Sequence, residues 1–152
     1  MTEAEIIVDE KLPVVHIIRE FDAPPAKVFR AHVDPDLFVR WNWAEGFDVR
    51  FDHFDCRTGG AYRITMSGDG MEGSVHGSFH DVIADELIVQ TFTPDGAPEL
   101  VILEKHRFED LGDGRTRLTA TSLVDSFEFR DSFVDAGLVE AYDRLDQLLE
   151  EL

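Results

Sequence analysis

The chain has 152 residues, 43% of them hydrophobic and 12 of them phenylalanine, which suits one domain with a real core and excludes a disordered chain. Its 32 acidic residues against 14 basic ones give a formal charge of −18, which argues against nucleic acid and against an anionic membrane as partner. A single cysteine, Cys56, rules out an intramolecular disulfide, residues 1–10 are acidic rather than leader-like, and no apolar run approaches the ~20 residues that span a bilayer. A cytoplasmic location without membrane insertion is the expectation.

Residues 1–12 read as a flexible lead-in, and residues 13–152 as a single domain. Residues 14–21 (VVHIIREF) form a first strand rich in β-branched side chains. Asp22-Ala23-Pro24-Pro25 stops it, and proline in a first turn lets a helix follow, with Val28, Phe29 and Val33 on its apolar face. Asp34-Pro35 starts a second short helix, Asp34 as N-cap, with Leu37, Phe38 and Trp41 facing inward.

From Phe47 the period changes to two. Phe47, Val49 and Phe51 alternate with acidic and basic residues, Thr58-Gly59-Gly60 turns the chain, and Tyr62, Ile64 and Met66 alternate with Arg63 and Thr65. Ser67-Gly68-Asp69-Gly70 and Leu111-Gly112-Asp113-Gly114 are hairpin turns. Val75, Gly77 and Phe79 carry the next strand toward Ile83, and further strands cover 85–93, 99–110 and 115–123. The sum is about seven antiparallel strands, each with one wet and one covered face.

The end of the chain supplies the cover. Across residues 130–152 apolar side chains recur at Val134, Leu138, Ala141, Leu145, Leu148 and Leu152, widened by Tyr142 and Leu149. Asp135, Asp143, Asp146, Glu150 and Glu151 take the other side, so this is one long helix with a buried stripe. Such a helix must bury its stripe on the sheet, which suggests a curved sheet gripping a helix with a cavity between them. Gly137 costs that helix ~1 kcal/mol relative to alanine, which close packing against a strand, the plainer reading, or room for a ligand would offset.

Short motifs in this order carry a resemblance. They are Ala23-Pro24 with Val28-Phe29 and Ala31, Asp34-Pro35 with Trp41, and Gly59-Gly60-Ala61-Tyr62-Arg63. Gly73, Gly77, Asp85-Glu86-Leu87-Ile88-Val89 and Thr91-Phe92 follow, then Gly112-Asp113-Gly114-Arg115-Thr116-Arg117-Leu118, and at the end Gly137, Tyr142, Leu145 and Leu148. Over residues 14–152 the chain resembles the activator of Hsp90 ATPase homologue-like family, within the START/Bet v 1-like superfamily. The resemblance implies an α+β helix-grip fold: a curved antiparallel sheet wrapped on a long C-terminal helix, with two short helices after the first strand. Gln90 and Phe92 stand where such proteins often carry an aromatic pair with tryptophan, which changes the pocket wall.

Catalytic and metal motifs are poor. His76 and His80 would lie ~13 Å apart along a strand, too far to share an ion. His53 and Cys56 have no second pair nearby, Cys56 has no CxxC partner, and no serine sits in a nucleophile elbow. No metal, cofactor or catalytic residue is expected. Glu104 and His106 share a strand face with Ile102 and Phe108; turned inward, such an acid would have a shifted pKa and could transfer protons, and a solvated pair is the plainer reading. Cyclase-like relatives use polar groups inside the cavity, and Arg63, Arg107, His76 and His106 are those available, although strand phase turns Arg63 to solvent.

Aromatic residues are the stronger lead. Trp41 and Trp43 flank Asn42 where this fold has its cavity mouth, as anchor of the helix pair or as rim. The expected function is binding of a small hydrophobic or aromatic ligand. Its pocket combines Phe29, Val33 and Trp41 with Phe51, Tyr62, Ile64, Met66, Val75, Phe79, Phe92 and His106 from the sheet, and Leu138 and Ala141 from the helix. The alternatives are an Hsp90 co-chaperone-like interaction protein of the stress response, which the resemblance implies, and a polyketide cyclase- or dehydratase-like enzyme. A monomer or homodimer fits either.

Overall fold

A computed structural model of the chain describes residues 3–43, 46–134 and 138–152, the side chains of 133–138 excepted. Strands β1 (Glu5–Val8) and β2 (Val14–Phe21) lead into helices α1 (Pro25–Val33) and α2 (Pro35–Asn42). The strands β3 (Asp48–Phe54), β4 (Ala61–Gly68), β5 (Met71–Ile83), β6 (Leu87–Pro94), β7 (Ile102–Gly112) and β8 (Arg115–Leu123) follow, then helices α3 (Phe127–Val134) and α4 (Leu138–Glu151). All eight strands form one sheet in the order β1-β2-β8-β7-β6-β5-β4-β3, every neighbour antiparallel.

The extra strand is β1. Where a loose lead-in was expected, Glu5–Val8 adds to the edge of the sheet, with Ile6 opposite Ile17 and Val8 opposite Val15. Only Ile6 of this strand is partly covered, so alternation is weak there, and pairing rather than burial reveals it. The end of the chain is helical over α3 and α4, and residues 135–137, Gly137 among them, lie outside the described residues.

Local chemistry explains the junctions. Pro25 opens α1, and Asp34 caps α2 by accepting from Asp36 N–H at 3.0 Å, with Pro35 at the first helical position. The β4–β5 hairpin turns through Asp69 (φ 51°) and Gly70 (φ 75°), and the β7–β8 hairpin through Asp113 (φ 55°) and Gly114 (φ 73°). Positive φ at two successive residues is the twist-matched two-residue turn, which Asp-Gly adopts at low cost.

On β2 the inward set is Val15, Ile17, Arg19 and Phe21, all buried. From α4 come Ala141, Tyr142, Leu145, Leu148 and Leu149, where burial of each large apolar side chain contributes about 1.5–3 kcal/mol. Arg19 is the exception in this core. Its guanidinium lies 2.5 Å from Asp143 and 3.7 Å from Asp146, and 5.6 Å from the centre of the Phe21 ring. Asp146, expected on the solvent side of the helix, is therefore buried: β2 carries a charge inward and the helix answers it. This pair links the first inward strand to α4 across the interior.

Candidate functional site

The inner face of the sheet, α2 and α4 enclose a cavity of about 390 Å³. A ring-bearing wall surrounds it. Phe54, Tyr62 and Phe79 interlock across β3, β4 and β5, with Phe79 edge-on to Phe54 at 5.9 Å and tilted on Tyr62 at 5.3 Å. From the helices, Trp41 stacks on Tyr142 at 5.9 Å and meets Phe38 edge-on at 5.5 Å. The wall is held by backbone acceptors. Trp41 Nε1 donates to Ala31 O at 2.9 Å, and Tyr62 Oη donates to Thr91 O at 2.6 Å.

Gly77 makes the second bond possible. Tyr62 and Gly77 are cross-strand partners, and a Cβ at Gly77 would stand 1.9 Å from Thr91 O and 2.7 Å from the Tyr62 hydroxyl. Only a residue without a side chain lets the Tyr62 ring lie across β5 to reach β6. Trp43, half-buried, donates from Nε1 to Met66 Sδ at 3.1 Å at another part of the lining.

One patch of this apolar wall is polar. On β7 the inward residues are Ile102, Glu104, His106 and Phe108, and on β6 Ile88 and Gln90 face them in register, Gln90 opposite Glu104 and Ile88 opposite His106. Gln90 Nε2 donates to Glu104 Oε1 at 3.3 Å. The accessible surface that Glu104 and His106 retain faces the cavity rather than bulk water. Burial pushes the Glu104 carboxyl up to about 7, opposed in part by the Gln90 hydrogen bond. A carboxylate leaving water in such surroundings is disfavoured against its neutral form.

Two imidazoles stand beside it. His32, in the last turn of α1, donates from Nδ1 to Val28 O at 2.8 Å, which leaves Nε2 as a lone-pair acceptor without a partner among the described residues. Its ring lies 5.6 Å from His106, whose Nδ1 also lacks a partner among the described residues. Burial lowers His32 to about 4; burial and then the neighbouring His32 lower His106 to about 3. Both are neutral at physiological pH. Burial, and then the charge of Glu104, pushes the Tyr62 and Tyr142 hydroxyls far above their ordinary value, so both remain neutral hydrogen-bonding groups.

Of the residues expected to line a pocket, Trp41, Tyr62, Ile64, Met66, Val75, Phe79, Phe92, His106 and Ala141 do so. Phe29, Val33 and Phe51 do not. Phe29 turns from the cavity to pack edge-on against Phe108 at 5.4 Å, and Phe51 packs edge-on behind Phe54 at 5.2 Å. Val33 is half-buried at the end of α1, packed against the core. Leu138 opens α4, and its side chain lies outside the described residues. The lining residues that the sequence reading left out are His32, Phe38, Asn42, Trp43, Phe54, Ile88, Gln90, Glu104 and Tyr142.

The Glu104–His106 pair faces the cavity, which corrects the plainer reading of it as solvated. Arg63, Arg107 and His76 are on the outer face; His76 bonds Asp95 at 3.2 Å and Arg63 pairs with the same carboxylate. Burial, followed by the charge of Asp55, pushes the Cys56 thiol up to about 12, which makes it a poor nucleophile. Among the described residues no group of His, Cys, Asp and Glu is arranged to hold a metal ion.

Solved structures share this architecture. A crystal structure of a protein from Rhodobacter sphaeroides superposes with a TM-score of 0.83 at 22% identity, over 97% of this chain and 99% of that one. A solution structure from Arthrobacter aurescens gives 0.83 at 25% identity, over 99% and 94%. A crystal structure from Chromobacterium violaceum gives 0.80 at 24% identity, over 91% and 97%. These likenesses show the helix-grip fold and nothing about a ligand. No curated protein matches the chain by sequence. The family model described as "Activator of Hsp90 ATPase homolog 1-like protein" matches residues 22–150, and the chain belongs to that family.

Proposed function

We propose that this protein binds a small hydrophobic or aromatic molecule in the cavity between the sheet and α4, acting in the cytoplasm. The observation that carries the reading is the ring-lined space of about 390 Å³ with a polar patch at Gln90 and Glu104. Ligand sites of ~300–1,000 Å³ combine apolar walls with a few polar groups that fix orientation. Enclosing ~200 Å² of apolar ligand surface would contribute about 5 kcal/mol before the cost of association.

Ala141, on the α4 side of the lining, is the place to test it. Naphthylmethanol, a neutral bicyclic probe, is expected to raise the unfolding midpoint of the wild type and not that of Ala141→Phe, whose ring would fill the space. Native mass spectrometry of protein from its own host is expected to show a co-purifying small molecule. A flat midpoint across naphthylmethanol, flavonoids and fatty acids would defeat the reading.

Two other readings each have one supporting observation. A buried acid near neutral pKa is what a cyclase- or dehydratase-like catalyst would need, and Glu104 supplies it; turnover of a polyketide-like substrate that Glu104→Gln abolishes would favour that reading. A co-chaperone role in stress response is favoured by apolar exposure at the β1–β2 hairpin and its surroundings, where Val8, Leu12, Leu123 and Phe127 are 41–55% exposed. Stimulation of a bacterial Hsp90 ATPase, lost on Leu12→Asp, would support it.

A further inference from the structure

Resting on that binding reading, we propose that the cavity selects a lipophilic amine, whose ammonium group pairs with the Glu104 carboxylate while its apolar body lies among the rings. The lining contains one acid and, among the described residues, neither lysine nor arginine. Glu104 accepts one hydrogen bond, from Gln90 Nε2, and the side chain makes no ion pair among the described residues. A buried carboxylate with no cation beside it is expensive, so its ionised form gains most from a cation that enters with the guest.

The surroundings of Glu104 support the same sign from every side. Gln90 faces it from β6, His106 shares β7 with it, Tyr62 faces from β4, Tyr142 from α4 and His32 from α1. None of these is positively charged at neutral pH, and both tyrosines and Trp41 line the space. Aromatic faces attract ammonium groups and repel carboxylates. The net charge of −18 adds a field that concentrates cations near the protein and excludes anionic lipids. Fatty acids and other carboxylate ligands are therefore the wrong class for this cavity.

The test is a matched series on the intact chain: naphthylmethylamine, naphthylmethanol and naphthoate, followed by calorimetry. The amine is expected to bind at least about tenfold tighter than the alcohol at about pH 8, and naphthoate weakest, because a charge-assisted bond to a desolvated carboxylate exceeds a neutral one. Amine affinity is expected to rise about tenfold from about pH 6 to about pH 8 as Glu104 ionises, since apparent affinity scales with the competent fraction. In Glu104→Gln the amine-to-alcohol ratio falls to about one.

An amine that binds no tighter than the alcohol overturns the proposal and leaves the cavity reading standing. So does a preference that survives in Glu104→Gln, or an amine affinity that falls with rising pH. If none of the three compounds binds, both fall together. The pH series on the wild type decides the matter even if the variant is unusable.

Discussion

Replacing Glu104 by glutamine should stabilise the protein, and by an amount that depends on pH. The carboxyl is pushed up to about 7 in the folded chain, against an ordinary value of 4.5 when unfolded. Between those values the folded state holds a proton that the unfolded state has released, so stability falls as pH rises through that window. Below it both states are protonated and nothing is lost. Above it the loss is complete, at 1.36 kcal/mol per unit of difference, or about 3 kcal/mol. Because the side chain's surface faces the cavity, water there eases ionisation, and about 3 kcal/mol is an upper value. Glutamine keeps the shape and cannot ionise. Urea unfolding should thus find the two proteins nearly equal at about pH 4 and the variant more stable by up to about 3 kcal/mol at about pH 8. His32 and His106, held below their ordinary value, pull the other way in both proteins, with stability rising up to about pH 6.5, and their effect cancels in the difference. A stability difference that stays constant across this pH range would refute the buried placement of the acid.

The other predictions concern how the wall and the frame are held. Gly77→Ala puts a methyl 1.9 Å from Thr91 O and 2.7 Å from the Tyr62 ring, and should cost about 3 kcal/mol or more by thermal unfolding, because backbone as well as a buried ring must move. Arg19→Met leaves Asp146 buried without its cation and should cost about 3–5 kcal/mol, part of which Arg19→Met combined with Asp146→Leu recovers. Trp41→Phe keeps an apolar ring against Tyr142 but leaves Ala31 O without the indole donor, and should cost about 1–3 kcal/mol in urea.

Much of this fold was legible because its strands alternate and its turns have their own chemistry. Asp34-Pro35 and the two Asp-Gly hairpins mark their elements with no tertiary information. Alternation also places Tyr62, Ile64, Val75 and Phe79 on one inner face, and these line the cavity. It fails where a feature does not depend on phase. Glu5–Val8 is an edge strand with little burial, so its pairing leaves almost no sequence mark. Phase puts Glu104 and His106 on the inner face with Ile102 and Phe108, but a preference for solvating charge works against that placement, and the cavity decides between them. Phe29 and Phe51 carry a different lesson. An inward ring can pack behind the wall as readily as in it, and only the positions of Phe108 and Phe54 distinguish the two. His32 was hidden differently: its ring is fixed by Val28 of its own helix and by Phe108 from a distant strand.

The size of the cavity and the chemistry of its polar patch belong to one argument. The cavity of about 390 Å³ is partly open, and its wall is not wholly apolar. Glu104, Gln90 and the tyrosine hydroxyls offer water enough partners to enter, which an all-hydrocarbon wall would not. On the binding reading proposed above, the same groups select the guest. A ligand that replaces the water has to satisfy the carboxyl it displaces water from, or leave it buried with Gln90 alone. An alkane-like molecule gains the walls and loses at Glu104; a molecule with a donor at one end and an apolar body gains at both. On that reading specificity is set less by the rings, which would accept many shapes, than by Glu104, whose ionisation they make difficult.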